Sequence, residues 1–286
     1  MIFLKSIDHT EGAIYMNDFI QMLQFPFLQR ALIVGILVSL CAALLGVSLV
    51  LKRFSMIGDG LSHVGFASLA IAYAFKAAPL LVSIPVCLLS AFFVLRITEN
   101  SKIKGDAATA LLMSGSLAIG VMVISLTQGM NTDVCNYMFG SILAMSTSDV
   151  ILSVILSIIV LILFVFFYNK IFAITFDENF SKATGIHTDV YNMLLAALTS
   201  ITVVLGMRMM GALLISSLVV MPALSAMRVC KRFLTVVITS AIISILCFII
   251  GIYISYTMST PTGASIVIIN LAVFAVCSVV GSGKSN

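Results

Sequence analysis
Tryptophan is absent from this 286-residue chain, and charge is scarce: Asp, Glu, Lys and Arg make up 9% of it. Soluble globular domains carry about 25% charged residues. With 61% hydrophobic residues and a mean hydropathy of +1.22, the composition excludes such a domain and reads as an all-α, polytopic membrane protein. Without tryptophan, tyrosine and phenylalanine must supply any aromatic belt at the lipid interface. Basic clusters outside short loops are missing too, so the net charge of +4 implies no nucleic-acid partner. No Cys-x-x-Cys pair exists. Cysteines 41, 87, 135, 230, 247 and 277 are scattered and read as small buried hydrophobes. A nucleotide-binding G-x-x-x-x-G-K-[ST] loop is also lacking. Gly281-Ser282-Gly283-Lys284-Ser285 ends like one but lacks its first glycine and a following helix. If ATP drives this protein, the ATPase is another chain. The N-terminal stretch with Lys5, Asp8, His9, Glu11 and Asp18 has neither the apolar core nor the cleavage site of a secretory signal.

What is present is a series of long apolar runs. A spanning helix needs about 20 mostly apolar residues, and segments 29–51, 55–75, 79–97, 107–128, 150–174, 190–207, 211–229, 233–256 and 264–281 qualify. That makes nine spans, or eight if the marginal 190–207 is discounted. The run 134–145 is too short to cross and is expected to lie at the interface or re-enter. Residues 1–28 read as an extracytoplasmic segment and 29–281 as one transmembrane domain. With the N-terminus outside, Lys52, Arg53, Arg96, Lys102, Lys104, Lys170, Lys182, Arg228, Lys231, Arg232 and Lys284 fall in the cytoplasm. Only Lys5, Arg30, Lys76 and Arg208 fall outside, and this bias sets the orientation.

One stretch breaks the apolar pattern: Gly58-Asp59-Gly60-Leu61-Ser62-His63. Asp59 is the one carboxylate well inside an apolar run, and His63 the one histidine so placed. Ionisable groups in hydrocarbon are costly and mark function by default. Four residues apart, the two share a helix face, and carboxylate and imidazole both bind divalent Mn, Fe and Zn. Counted from Ser55, His63 lies about 12 Å into its span, near the midplane of a core about 30 Å thick. The competing reading makes Asp59 an N-cap, with the helix starting at Gly60, and His63 a packing residue. Gly58 and its neighbouring glycines keep the surface small for close approach.

Two further stretches stand out. The loop of about 175–189 reads as a short amphipathic helix, with Asp177 and Glu178 in its first turn, Lys182 in its last and Gly185 as C-cap. Phe176, Phe180, Ala183 and Ile186 fall near one face, which suits a cytoplasmic protein partner or a rest on membrane lipid. The seventh span begins at Gly211, carries small residues that permit tight packing and contains Pro222, which kinks a helix. Met207, Met209 and Met210 would cluster at an outer mouth.

Together these stretches resemble the metal-ion (zinc, manganese, iron) permease family of ABC transporters. Gly58–His63 is similar to the family's Gly-Asp-Ala-Leu-Ser-His signature, with Gly60 in place of alanine. Asn136-Tyr137-Met138-Phe139-Gly140-Ser141 resembles its Asn-Tyr-Leu-Phe-Gly-Ser segment. Gly211 through Pro222 to Ala226 resembles its Gly-x-Leu-Leu…Pro-Ala pattern. Phe176–Ile186 resembles its ATPase-contacting loop, with Ser181 in place of alanine. The resemblance implies a homodimeric permease in a bacterial-type cell membrane. It implies no catalysis of its own, no permanently bound cofactor, ATP hydrolysis on cytoplasmic ABC ATPase subunits, and an extracytoplasmic metal-binding protein. It also implies Asp59 and His63 as residues of the metal path, and leaves the choice among zinc, manganese and iron open. Competing readings are a permease for a metal chelate such as a siderophore or cobalamin, a stand-alone secondary transporter, and an intramembrane enzyme.

Overall fold
The computed structural model describes residues 24–100, 105–127 and 147–283. Among them are eleven helices and no strand: α1 Pro26–Leu51, α2 Ile57–Ala74, α3 Pro79–Asn100, α4 Gly105–Leu126, α5 Thr147–Phe166, α6 Tyr168–Phe176, α7 Glu178–Ala183, α8 Thr188–Met210, α9 Ala212–Val229, α10 Phe233–Met258 and α11 Thr262–Gly283. The expected segment 134–145, the Asn136–Ser141 motif and most of residues 1–28 lie outside the described residues.

Among the described residues, eight helices are long and apolar enough to cross a membrane. The marginal candidate 190–207 is among them as part of α8, and the helix that falls short is α2. The reason is chemical: α2 carries Asp59 and His63, while α9, equally 18 residues long, lacks such groups in its core and qualifies. It nonetheless packs against α3, α4, α8 and α9. The expected single span 150–174 is two helices, broken at Phe167 between α5 and α6.

α1 is the hub. Fifteen of its 26 residues are buried, and it touches α5, α6, α8, α9 and α10. At Gly46 a side chain would strike the Val219 carbonyl at 1.9 Å, so α1 and α9 meet backbone to backbone there. The outer faces are apolar. Leu234, Ile238, Ile242, Leu246 and Ile250 form an exposed row along α10 at four-residue spacing, the signature of a helix face turned to lipid.

Helix ends sort into two sets. At one, Lys52, Phe54, Leu95, Thr98, Glu178 and Asn192 surround a common cavity of about 260 Å³, Gly105 abuts Phe54, and Gly281 abuts the Arg228 carbonyl. At the other, Arg208 at the end of α8 pairs with Asp149 at the start of α5, Nη2 to Oδ2 at 2.6 Å. This alternation is the order expected of helices that run up and down in sequence. The first end is the basic, cytoplasmic one by charge bias. Met207 and Met210 are buried among the core residues, so they do not form an outer mouth.

Candidate functional site
α2 starts at Ile57, and its N-cap is Met56, with no side-chain cap. Asp59 is therefore the third helical residue, and the expectation that it might merely cap a helix starting at Gly60 fails. Its carboxylate does favour the positive end of the helix dipole. Its side chain turns to two partners. His63 Nε2 lies 3.9 Å from Asp59 Oδ1, as four-residue spacing requires. Ser216 Oγ, from α9, donates to Asp59 Oδ1 at 3.3 Å and lies 3.0 Å from the Ala212 carbonyl. A hydroxyl has one proton to donate, so Ser216 divides it between the two.

Asp59 and His63 open into a cavity of about 480 Å³ whose lining includes Ala212, Ser216, Ser217, Met221 and Val267. Their side chains are 34% and 15% exposed, so both have free coordination capacity facing space. Counted from the start of α2, His63 is only about 9 Å in, less than the 12 Å expected. Depth in the bundle follows instead from Ser216. Its neighbour Ile215 and Val38 both flank Gly206, and Val38 is the thirteenth of the 26 residues of α1. Val219, which meets Gly58, lies against Gly46 of α1, so the pair sits at a depth between Val38 and Gly46, separated from α1 by α9.

The glycines and proline play different parts. At Gly58 an added side chain would meet only ordinary contacts, Val219 at 3.7 Å, so close packing does not demand glycine there. Gly60 does pack tightly, with Thr109 Cγ2 2.4 Å from an added Cβ. Gly211 joins α8 to α9 at φ 89° and ψ 159°, a conformation essentially restricted to glycine, and so aims Ser216 at Asp59. Pro222 is buried inside α9, where it leaves the Leu218 carbonyl without its helical donor.

At the cytoplasmic end the loop is not one helix. α6 ends at Phe176, the chain turns at Asp177 with φ −146°, and α7 follows. Asp177 is the N-cap rather than part of the first turn: its Oδ1 accepts from the Phe180 N–H at 2.8 Å. Gly185, at φ 83°, closes α7. Ile186 N–H donates to the Ser181 carbonyl and Gly185 N–H to the Lys182 carbonyl, the paired bonds of a Schellman motif. Phe176 and Phe180 are 60% and 66% exposed, and Ala183 is exposed beside them. Beneath, Phe172, Phe176 and Phe233 stack with centroids 4.9–5.7 Å apart and fix the end of α6. Glu178 bonds Lys52 Nζ at 3.3 Å and accepts from Asn192 Nδ2 at 3.3 Å. Lys182 meets Glu178 and Asp189 at 3.5 and 3.6 Å. Slight desolvation lowers the Lys182 pKa, but the two carboxylates outweigh it and hold the ammonium above the ordinary lysine value. With the folded pKa raised, that contribution is complete below pH 10.5 and fades only as pH climbs through the folded value.

The sequence reading treats Ser216 only as a small packing residue and Lys52 only as a charge marker. Their contacts with Asp59 and Glu178 cross 157 and 126 residues of chain, and no local pattern carries them.

The ABC 3 transport family matches residues 24–281. The chain belongs to that family. It is a multi-pass protein of the cell membrane with a transport role, not an enzyme, and works with other subunits of an ABC transporter. The permease is similar to the manganese transport system membrane protein MntC of Halalkalibacterium halodurans, 28% identical over 90% of this chain and 88% of that one. It is likewise similar to the high-affinity zinc uptake system membrane protein ZnuB of Haemophilus influenzae, 30% identical over 87% of this chain and 96% of that one. Among solved structures it resembles PsaBC from Streptococcus pneumoniae in complex with Fab, with a TM-score of 0.81, 29% identity, and coverage of 92% of this chain and 95% of that one.

Proposed function
We propose that this permease imports a divalent transition metal ion, zinc, manganese or iron, and that Asp59 and His63 hold the ion part-way across. The observation that carries this is the pair itself: a carboxylate and an imidazole on one helix face, opening into a cavity lined by α9 and Val267 of α11. Hydrocarbon offers no ligand to a desolvated cation, so such groups must. Among the described residues no three His, Cys, Asp or Glu converge, and two ligands cannot complete four- or six-fold coordination. The shortfall is met by a second copy of the chain facing the first across this cavity, and that need, with two-fold pairing the commonest assembly, is why we read the permease as a homodimer. Incomplete coordination within one copy also suits a path that must release its ion. Exposed Phe176 at the end of α6 and Phe180 of α7 suit docking of the ATPase, where ATP is bound and hydrolysed, and an extracytoplasmic metal-binding protein delivers the ion. Relatives named for manganese and for zinc leave the metal among the three.

The test is uptake of radioactive zinc, manganese and iron by cells lacking this chain. Loss of uptake of at least one metal, restored by the wild-type gene, is expected. Unchanged uptake of all three contradicts the assignment.

A further inference from the structure
We propose that Lys52 is a positioning residue that transmits movement of α7 to the helix bearing Asp59 and His63. The inference rests on the permease reading above. The Lys52 side chain is only 10% exposed, and an ammonium so far withdrawn from water needs close partners. It has Glu178 Oε2 at 3.3 Å and Asn192 Oδ1, and Asn192 closes the triangle by donating to Glu178 Oε1 at 3.3 Å. One triangle therefore ties α1, α7 and α8. α7 has only six residues and turns Phe180 outward, while its other ion pair across elements, Lys182 with Asp189, is exposed and weak. The triangle is what fastens the first turn of α7 to the bundle.

From Lys52 the path to the ion ligands is short and stiff. Lys52 is the C-cap of α1. Arg53 then takes a left-handed φ of 62°, Phe54 N–H donates to the Leu49 carbonyl at 2.9 Å, and Ile57 N–H donates to the Phe54 carbonyl at 3.1 Å. Ile57, the first residue of α2, is buried, and Asp59 follows two residues later. A pull on Glu178 thus reaches Asp59 through a hydrogen-bonded turn rather than a slack loop. Packed interiors respond by switching between discrete arrangements. The cavity of about 260 Å³ that Lys52, Phe54, Ile57, Glu178 and Asn192 help to line provides room for such a switch.

The experiment uses the permease with its ATPase in proteoliposomes and measures manganese or zinc ions moved per ATP hydrolysed. Lys52→Met is expected to keep co-purification with the ATPase and basal hydrolysis, yet to lower ions per ATP about ten-fold, within the range usual for coupling between sites. Glu178→Gln is expected to behave likewise, and Lys52→Arg, which keeps charge and reach, to restore the ratio. A wild-type ratio in Lys52→Met overturns the proposal. So does loss of ATPase co-purification in Lys52→Met that Lys52→Arg shares, which marks a merely structural role. Failure of the wild type itself to move metal is a separate result and brings down the permease reading.

Discussion

The two ends of the proposed path differ in how fully their polar groups are satisfied. Around α7, Lys52, Glu178, Asn192, Lys182 and Asp189 form a closed set of partners, and Asp177 caps the helix. Around α2, Asp59 has one shared hydroxyl and an imidazole at 3.9 Å, and both groups face open space. Buried polar groups are ordinarily paired. The under-coordinated, half-buried pair is what the proposed ion path needs, whereas the cytoplasmic cluster is already saturated by its own partners.

Three changes sharpen that contrast. Phe180→Asp places a charge on the face proposed for ATPase docking, and burying an unpaired charge is strongly unfavourable. The permease should still insert, but a tagged ATPase should no longer retain it in a pull-down. Gly211→Ala should come next: its strained backbone costs about 1–3 kcal/mol, lowering the detergent melting temperature and disturbing the aim of Ser216, so uptake should fall with it. Asp177→Ala should have the smallest effect. Loss of an N-cap costs about 1 kcal/mol, and ATPase affinity should weaken about five-fold while metal binding stays unchanged in an isotope filter assay.

Much of this was legible because membrane insertion writes strong signals. Eight of the nine apolar runs each correspond to one long helix and the run 150–174 to two, and Asp59 and His63 stand out because charge is rare in hydrocarbon. Gly185 announced the end of α7 because that position needs positive φ. What escaped was what depends on distant contacts or on local geometry with no compositional mark. The break at Phe167 lies within aromatic, helix-compatible sequence. α8 looked marginal and α2 secure, yet polar residues make α2 the less apolar of the two. The triangle around Lys52 joins three helices far apart in the chain. Ser216 looks like any small residue until α9 is laid against α2.

The central claim is that Asp59 is an ion ligand and not a structural carboxylate. Asp59→Asn keeps shape and hydrogen-bonding capacity and removes the charge; its loss of helix-dipole interaction is worth only about 0.3–1 kcal/mol. Metal uptake should be measured in cells expressing this variant at wild-type level with the ATPase bound. The account predicts uptake reduced to the background of cells lacking the permease. Uptake at the wild-type rate would contradict it.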